Sequence, residues 1–348
     1  MKLEFQVVER MKRTYSLLNE LSHINGANVS GELLDRMMYS FEALPLLGKE
    51  YWWFLFFGWD GRQMMLLVFR KSGTSMIFNG EKVVLKETNQ SSFQAVTTGW
   101  IYDGKRMRDL GVTNPVVLVN AKEKVLASKI SDRKMVFRGN FPEYELMLGE
   151  IAHMKMTRGD FLENRRAHGI LVPPFGAGWT DVYSSVRGNL LGKVFEGTAH
   201  LQKVVGVVPY GSFHWARVVF QSNSTFSFFC LKSLKESKKY FNRSMDFYDH
   251  RTKRYFRFKN PKLVVSERRG KTPTWTVEGK DGTNELRVVL RIYAEKQFTM
   301  NGGGSQVYEE YAVTPSEFAF RNKEEVTTLQ DLGKGIGTFE NAHGSPIL

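Results

Sequence analysis

The sequence repeats itself, and this repeat restricts the fold more than any other feature. Residues 101–119, "IYDGKRMRDLGVTNPVVLV", match residues 247–265, "FYDHRTKRYFRFKNPKLVV", with Tyr-Asp and Asn-Pro at the same spacing. Three weaker matches keep the same order along the chain: 52–72 with 213–233, 136–146 with 277–286, and 194–200 with 338–343. Four collinear matches predict a tandem duplication, with copies over about 45–205 and 207–345.

Each copy has the pattern of a series of antiparallel strands. After Glu50, short runs of β-branched and aromatic residues end at Gly, Asn or Asp about every 8–12 residues. The first run, "YWWFLFFGWDGRQMMLLVFRK", predicts a hairpin with its turn at Trp59-Asp60-Gly61. We therefore expect an all-β body of two antiparallel β-barrels, each large enough to hold one apolar ligand. Residues 231–241 are the one later stretch with a helical pattern.

The N-terminal residues follow a different pattern. Apolar residues recur every three or four positions over 3–24, which predicts a helix with one buried face. A second short helix is expected from Ser30, a residue type that caps helices, to about Phe41. The predicted organisation is a helical extension over 1–44, a first barrel over 45–205 and a second barrel over 206–348.

The formal charge of +13 limits the range of partners. Basic residues concentrate in 232–271, where "KRYFRFKNPK" interleaves them with aromatic residues. A solvated strand face explains this pattern best. Docking on an anionic membrane surface is a second interpretation, and RNA binding is a third and weaker one.

The single cysteine and the apolar segments bear on the compartment. Cys230 lies in the apolar run "FSFFCL" and is expected to be a buried, inert thiol. One cysteine cannot form a disulfide within the chain, which fits a reducing compartment. The sequence opens without an apolar export segment, and the longest apolar stretch, 51–59, is too short to cross a bilayer. We expect a cytoplasmic protein, at most peripheral to a membrane.

Two segments carry a resemblance to a known superfamily. "GNLLGKVFEG" (188–197) and the glycine-rich ending "GKGIGTFENAHG" (333–344), together with the duplication, resemble the tandem lipocalin-like proteins. That superfamily includes AttH-like proteins, carotenoid 1,2-hydratase, tocopherol cyclase and some fungal Diels–Alderases. The resemblance covers residues 45–345. It implies two lipocalin-like β-barrels, an apolar cavity and hydrophobic ligands, often isoprenoids or polyketides, and it carries over no catalytic residue.

Metal and nucleotide sites have little support in the sequence. The seven histidines lack the spacing of metal ligands, so we expect no metal and no cofactor. The alternative is a metal site shared between the copies by Glu196, His200, Glu340 and His343. The stretch "GKGIGT" (333–338) lacks the spacing of a phosphate-binding loop. Its glycines are expected to permit close packing of strands.

Two similar segments carry candidate acid–base residues. In "VFEGTAH" (194–200), strand alternation places Glu196 and His200 on one face. In "TFENAH" (338–343) the spacing is one residue shorter, so Glu340 and His343 fall on opposite faces unless a bulge intervenes. The alternative role of both pairs is structural, in closing a barrel.

Two segments rich in Gly, Pro and aromatic residues, 171–185 and 207–218, are either the rim of a pocket or a packed linker between the copies. The first also carries the candidate acid Asp181. The candidate ligand-binding residues in these segments are Trp179, Tyr183, Tyr210, His214 and Trp215.

The leading hypothesis is a protein that binds a hydrophobic, isoprenoid-like or lipid-like ligand and acts on it as a hydratase, cyclase or isomerase without a metal. Such an enzyme needs a carboxylic acid whose pKa is raised by burial, and aromatic faces that stabilise a cation. The candidate catalytic residues are Asp181, Glu196, Glu340, His200 and His343. The alternative is a carrier without catalysis that docks on anionic membranes.

Overall fold

The computed structural model describes residues 2–345 except 25, 27, 90, 159–164, 234–238, 267–272 and 324, and for residues 2–11 and 165 it describes the backbone alone. The chain forms two compact units. The first comprises Met1–Gly104, Arg108–Pro209 and Met300–Gly303, and the second comprises Lys105–Met107, Tyr210–Thr299 and Gly304–Leu348.

The N-terminal part of the chain is helical, as predicted. Helix α1 spans Lys2–Ile24 and helix α2 spans Gly31–Met38. Ser30 caps α2, because its side chain accepts a hydrogen bond from the backbone N–H of Leu33 at 3.2 Å. The charged and polar residues between the apolar positions leave one buried stripe on each helix, which needs a sheet to cover it.

A curled antiparallel sheet follows the helices. Its strands run along the sheet in the order β5-β6-β9-β10-β11-β12-β13-β15-β16-β1-β2-β7-β8, with β14 on β15. The hairpin β3–β4 is not part of this sheet and pairs, through β3, with residues 300 and 301. Their bounds are β1 (Gly48–Gly58), β2 (Gln63–Lys71), β3 (Ser75–Phe78), β4 (Glu81–Val84), β5 (Glu87–Asn89), β6 (Ser92–Gln94), β7 (Val96–Tyr102), β8 (Met107–Thr113), β9 (Val116–Asn120), β10 (Val125–Ile130), β11 (Arg133–Asn140), β12 (Glu143–Leu148), β13 (Ala152–Thr157), β14 (Arg165–Val172), β15 (Phe175–Leu190) and β16 (Lys193–Val207).

A second curled antiparallel sheet forms the rest of the chain, in the order β20-β19-β18-β17-β26-β24-β23-β22-β21, with β25 on β24. The bounds are β17 (Phe213–Phe220), β18 (Thr225–Lys232), β19 (Tyr240–Asp249), β20 (Arg254–Lys259), β21 (Lys262–Ser266), β22 (Thr274–Asp281), β23 (Asn284–Asn301), β24 (Ser305–Arg321), β25 (Val326–Thr328), the short helix α3 (Leu329–Leu332) and β26 (Gly335–Ser345). The prediction of an all-β body behind a helical N-terminus is confirmed.

The helix expected over 231–241 can be compared only at its ends. Residues 234–238 lie outside the described residues, whereas Leu231 and Lys232 end β18 and Tyr240 begins β19. The described ends of this stretch are therefore strands and not a helix. Strand alternation buries Cys230 and Lys232 on the same face of β18.

Strand alternation separates two faces of the first sheet. On β1, Trp52, Phe54 and Phe56 join the hydrophobic core beneath α1 and α2, and we call this side the inner face. The intervening residues, such as Trp53 and Leu55, are also buried but lie on the opposite, outer face. Core side chains pack together on the inner face of the second sheet in the same way, with Phe339 of β26 among them.

Helix α1 packs on a glycine-lined part of the first sheet. Leu18 and Leu21 are fully buried. They lie against Gly176 and Gly178 of β15, where any larger side chain would meet them. Gly169 of β14 lies against the backbone of α1 at Leu21 and Ser22, so three small residues let the helix approach the strands closely. The helical segment is therefore part of the core of the first unit.

The opening strands, the closing strands and their neighbours correspond in the two units. Closing strand β16 pairs with β1 and β15, and closing strand β26 pairs with β17 and β24. Tyr102 lies opposite Gln63, the first residue of β2, and Tyr248 lies opposite Thr225, the first residue of β18. The predicted match of the two Tyr-Asp pairs is confirmed at the level of single residues.

The predicted match between the two closing strands is in the wrong register. The opening strands end at Gly58 and Phe220, each of which donates its N–H to a carbonyl four residues on. Gly58 pairs with Gly197, and Phe220 pairs with Gly335. Glu340 therefore corresponds to Gln202, six residues beyond Glu196. The sequence comparison matched similar residues, whereas hydrogen bonding to the first strand of each unit fixes the register.

Two further expectations concern burial and membrane spanning. Cys230 is a fully buried free thiol, and burial raises its pKa to about 11, as expected for an inert side chain. Among the residues that the structure describes, no helix is long and apolar enough to cross a membrane.

Candidate functional site

Asp181 is the centre of a buried polar cluster on the first unit. It lies on β15 between β14 and β16, directly opposite Gln202 of β16. Its Oδ1 is 2.8 Å from Nε2 of His200 and accepts a hydrogen bond from Nε2 of Gln202 at 3.0 Å. Its Oδ2 is 3.4 Å from Nε2 of His168 on β14. These four residues form what we call the Asp181 cluster, in which one carboxylate orients two imidazoles.

Two aromatic side chains stack on the histidines of this cluster. Trp179 stacks on His168 with ring centroids 5.0 Å apart, and Tyr183 stacks on His200 at 4.7 Å. Trp179, Asp181 and Tyr183 alternate along β15 and so share its outer face. His200 and Asp181 are almost completely buried. A carboxylate–imidazole pair flanked by aromatic rings can donate or accept a proton in an apolar setting.

Four of the predicted residues are therefore brought together: Trp179, Asp181, Tyr183 and His200. The alternative interpretation of 171–185 as a linker between the copies is wrong, because these residues form the end of β14 and the first two-thirds of β15. Sequence reasoning missed His168 and Gln202. Both face Asp181 from neighbouring strands, so only the pairing of β14, β15 and β16 reveals them.

Glu196 lies outside the Asp181 cluster. Its side chain is 59% exposed and forms a 3.5 Å ion pair with Arg187. Strand alternation does place it on the same side of β16 as His200, but the strand has reached solvent at this point. Glu196 lacks the burial that would raise the pKa of a catalytic acid.

A second buried carboxyl group is found on the second unit. Glu340 of β26 lies directly opposite Glu310 of β24, and both side chains are buried. We call these two residues the Glu340 pair. The hydroxyl of Thr338 is 3.5 Å from Oε1 of Glu310. Trp215 of β17 lies opposite Glu340 on the other side, so a carboxyl and an aromatic ring flank it.

Burial dominates the acidity of Glu340. Burial raises the pKa of Glu340 well above its usual value, and the neighbouring Glu310 raises it further. A hydrogen bond with Tyr308 and the charge of Arg217 partly offset this rise. The Arg217 guanidinium also lies over the ring of Trp215, 5.1 Å from its centroid. Two adjacent buried carboxyls cannot both ionise at low cost, so the pair holds a proton to a higher pH than a solvated glutamate.

The two clusters occupy corresponding positions of the duplicated units. Because Gln202 corresponds to Glu340 and each closing strand pairs with the strand before it, Asp181 corresponds to Glu310. His200 corresponds in the same way to Thr338. Both units thus carry a buried carboxyl group at one position, and the partner is an imidazole in the first unit and a second carboxyl in the second. The sequence match in its predicted register concealed this correspondence.

The other predicted residues are separate from the Glu340 pair. The register of β26 with β24 is continuous, so Glu340 and His343 lie on opposite faces, as alternation predicted. The side chain of His343 is 57% exposed. His214 is buried on the inner face, 5.4 Å from the ring of Phe339, and burial lowers its pKa to about 3. Tyr210 is buried just before β17, and burial raises its pKa to about 12.

A third cluster, which the sequence analysis missed, lies on the inner face of the first sheet. Glu50 of β1 accepts hydrogen bonds from Nε of Arg70 and Nζ of Lys203, both at 2.6 Å. All three side chains are buried, and burial lowers the pKa of Lys203. We call them the Arg70 cluster. Lys203 Nζ lies 3.0 Å from the centroid of the Trp52 ring. Each charge has a partner, so the cluster has the features of a structural ion-pair network.

The basic and aromatic stretch within 232–271 forms ordinary solvated strands where the structure describes it. On β20, Phe256 and Phe258 are buried, whereas Arg257 and Lys259 are exposed. Arg257 is ion-paired with Asp246 at 2.8 Å. The alternation of basic and aromatic residues is therefore explained by one solvated and one core-facing side of the strand.

Among known proteins, similarity to this chain is found only with solved structures. No protein-family model and no curated protein matches the chain. Solved structures do match. An AttH-like protein from Nitrosomonas europaea matches with a TM-score of 0.47 at 10% identity, over 85% of this chain and 91% of that chain. Kievitone hydratase from Nectria haematococca matches with a TM-score of 0.47 at 9% identity, over 92% and 96%.

The protein CghA also matches, with a TM-score of 0.45 at 9% identity, over 86% of this chain and 88% of that chain. These proteins have the lipocalin-like fold, and AttH-like proteins belong to the superfamily that the sequence resembles. The chemistry of this protein has to be derived from its own residues.

Proposed function

We propose that this protein binds an apolar small molecule and acts on it by proton transfer from the Glu340 pair, as a hydratase, cyclase or isomerase. The observation that carries the proposal is the direct cross-strand opposition of two buried carboxyls, Glu340 and Glu310. Like charges directly opposite each other in a sheet are destabilising, and more so when they are buried. The pair therefore holds a proton to a higher pH than a solvated glutamate does, and this proton is available for transfer.

The surroundings of Glu340 suit a reaction through a cation. A neutral carboxylic acid in an apolar setting can protonate a carbon–carbon double bond. The proton forms a new C–H bond, the π electrons of the alkene supply the electron pair, and a carbocation remains. Trp215 lies opposite Glu340, and Tyr308 is hydrogen-bonded to it, so these are the aromatic residues beside the acid.

The same first step leads to three kinds of product. Water can add to the cation and lose a proton, which gives hydration. Loss of a proton from a neighbouring carbon gives isomerisation. Attack by a second double bond closes a ring and leaves a new cation, which then loses a proton from a neighbouring carbon to give the cyclised product. In each case the released proton returns to the ionised Glu340 pair, so the catalyst is regenerated without a redox partner.

Deuterium transfer tests this proposal whichever of the three products forms. Acyclic prenyl alkenes would be incubated with the protein in D₂O and analysed by mass spectrometry for solvent deuterium bound to carbon. The wild-type protein is expected to introduce deuterium. The Glu340→Gln variant should be slower by about 100-fold or more, because the transferable proton is lost.

Two further variants make the test specific. Glu196→Gln changes an exposed carboxyl of β16 and should react like the wild type. Asp181→Asn removes the carboxyl at the corresponding position of the first unit. If Asp181→Asn abolished deuterium transfer while Glu340→Gln preserved it, the Glu340 pair would not be the acid.

The carrier alternative makes the opposite prediction. A carrier would retain a prenyl alkene through native purification and release it unchanged, with no deuterium on carbon in any variant. Docking on an anionic membrane through the basic strand face of β20 belongs to this alternative, and it does not require the Glu340 pair.

A further inference from the structure

A buried lysine stands at the end of β18, on the inner face of the second sheet. Lys232 is 94% buried, since only 6% of its surface is exposed. Its Nζ donates a hydrogen bond to Oδ1 of Asn341 at 2.6 Å and lies 3.3 and 3.4 Å from the two ring nitrogens of His343. Burial lowers the pKa of Lys232 to about 8, so the ammonium form still predominates at pH 7.

The carboxylate of Glu309 is linked to this ammonium group only through Asn341. Glu309 Oε2 accepts hydrogen bonds from Nδ2 of Asn341 at 2.6 Å and from the hydroxyl of Tyr311 at 2.9 Å. We call Lys232, Asn341, His343, Glu309 and Tyr311 the Lys232 cluster. Among the described residues, no carboxylate lies within ion-pair distance of Lys232 Nζ. A buried cation whose close partners are neutral favours an anion.

Aromatic rings adjoin the Lys232 cluster. The ring of His214 is 5.7 Å from that of Tyr240, and Trp275 stacks on Phe339 with centroids 3.9 Å apart. The ring of Tyr311 lies 4.8 Å from that of Trp275. Tyr240 and Tyr311 are only half-buried. The cation thus stands beside apolar surface that water can reach.

The corresponding position of the first unit has a carboxylate where the described part of the second unit has none. In the opening hairpins, Glu50 lies opposite Arg70, and the N–H of Lys232 donates to the carbonyl of Ser212 in the same register. Arg70 therefore corresponds to Lys232, and Glu50 corresponds to Ser212. Arg70 binds Glu50 directly at 2.6 Å, whereas the second unit has a hydroxyl at this place.

The first unit also has a segment that covers its cations. The carbonyl of Ser40 accepts a hydrogen bond from Lys203 at 3.1 Å, and the carbonyl of Glu42 accepts one from Arg70. The ring of Phe41 lies 4.9 Å from the guanidinium carbon of Arg70. Only residues 208–212 separate β16 from β17, which is too short for a segment like α2 and 39–47. Nothing of this kind can precede the second unit.

A bulge sets the second unit apart at the same place. The register between β18 and β19 shifts between Phe229 and Leu231, so that Leu231 pairs with Phe241. Asn242 has a positive φ of 48° there. The corresponding pairing of β2 with β7 is continuous. Bulges commonly re-aim side chains next to binding sites, and this one lies beside Lys232.

We propose that Lys232 binds the carboxylate of a small organic acid whose apolar or aromatic body lies on Tyr240 and Tyr311. The ligand's carboxylate would take the place that Glu50 has in the first unit. This binding site is separate from the Glu340 pair, because Asn341 and Glu340 point to opposite faces of β26.

Calorimetric titration of the full-length protein at pH 7 tests the proposal, with trans-cinnamate as the probe and its uncharged amide, cinnamamide, as the matched ligand. Cinnamate should bind the wild-type protein, and cinnamamide should bind about 10-fold more weakly or worse, because a charge-assisted hydrogen bond is lost. Lys232→Met should weaken cinnamate binding by about the same factor and leave cinnamamide unaffected. Lys259→Met removes an exposed lysine and should change neither affinity.

A second variant covers the case in which Lys232→Met fails to fold. Ser212→Glu supplies a carboxylate at the position of Glu50 while keeping Lys232, so an internal ion pair should compete with cinnamate and weaken its binding at least 10-fold. Thermal melting would verify that each variant is folded. Equal affinities of cinnamate and cinnamamide, no cinnamate binding to the wild type, or undiminished binding to folded Ser212→Glu would each overturn the proposal.

Discussion

Glu340 is the residue whose chemistry depends most on its surroundings. In the sequence it is one of 36 acidic residues, and its pattern gave no reason to prefer it to Glu196. The sheet buries Glu340 opposite Glu310 and leaves Glu196 in solvent beside Arg187. The same side chain can therefore be a proton donor or an ordinary surface charge, depending on desolvation and on its neighbours.

The raised pKa of Glu340 predicts how stability depends on pH. Above the pKa of an unfolded glutamate, near 4.3, the folded protein binds more protons than the unfolded protein. The free energy of unfolding should therefore fall as pH rises from the unfolded pKa towards the raised pKa of folded Glu340. This residue contributes at most about 1.4 kcal/mol per pH unit to the fall. Glu340→Gln mimics the protonated acid and should reduce this slope.

Urea denaturation between pH 5 and pH 8 measures the slope. Glu196→Gln is the matched control, because an exposed carboxyl should leave the wild-type slope unchanged. A slope in Glu340→Gln as steep as that of the wild type would contradict the assignment of a raised pKa to Glu340.

At the scale of elements, glycines determine how closely the closing strand β26 packs. The expectation that "GKGIGT" serves close strand packing is supported by Gly335 and Gly337. A Cβ atom at Gly337 would overlap the carbonyl oxygen of Arg217, and one at Gly335 would overlap Pro315 and Phe220. Gly197 of β16 makes a similarly close approach to the carbonyl of Phe57. Both closing strands therefore lie tightly against the opening strand of their unit.

Gly337→Ala should destabilise the second unit by about 1–3 kcal/mol, because the added methyl group has to displace backbone. Gly211→Ala is the matched control. No atom lies within 4 Å of a Cβ at Gly211, so this substitution should change stability by less than about 0.5 kcal/mol. Denaturation curves of the two variants and the wild type give the comparison. Equal midpoints for all three proteins would contradict the close packing of β26 at Gly337.

The elements themselves were largely predictable. The period of the apolar residues identified α1, and the choice of Ser30 as a cap located α2. The turn at Trp59-Asp60-Gly61 was predicted from its Asp-Gly pair, and Gly61 has the positive φ that such turns require. Strand pairing was not predictable in detail. The β14–β15 hairpin was considered as a linker because its glycines, which accommodate α1, resemble those of a loop.

At the scale of the whole molecule, the duplicated units differ mainly in what precedes them. In the first unit, α1, α2 and 39–47 precede the opening strand β1, cover the sheet and bind its buried cations. The second follows β16 after five residues. One duplicated framework has thus acquired a sealed ion-pair cluster in the first copy and a half-buried polar cluster in the second.

The helical segment should therefore matter for the stability of the first unit. Leu21→Ala deletes a fully buried side chain between α1 and β15 and should cost about 2–5 kcal/mol. Leu46→Ala, at a leucine that is 82% exposed, is the control and should be near neutral. Hydrogen exchange of the amides in β14 and β15, measured by mass spectrometry, should become faster in the first variant alone. Unchanged protection in Leu21→Ala would mean that the helix is not part of this core.

The sequence by itself determined the class of fold, the helical N-terminus, the duplication and several of the site residues. These follow from local periodicity, from turn chemistry and from repeated residues, all of which are properties of neighbours along the chain. The tertiary structure decided which carboxyls are buried and which residues share a site. Glu310 and Lys232 face their partners across strands that are not consecutive in the chain, and His168 faces Asp181 across the β14–β15 hairpin. Only hydrogen-bond register fixes such contacts. The tertiary structure also showed that the correct match of the closing strands differs by six residues from the sequence match. Only in the correct register do Asp181 and Glu310 occupy corresponding positions, with Glu340 opposite Glu310.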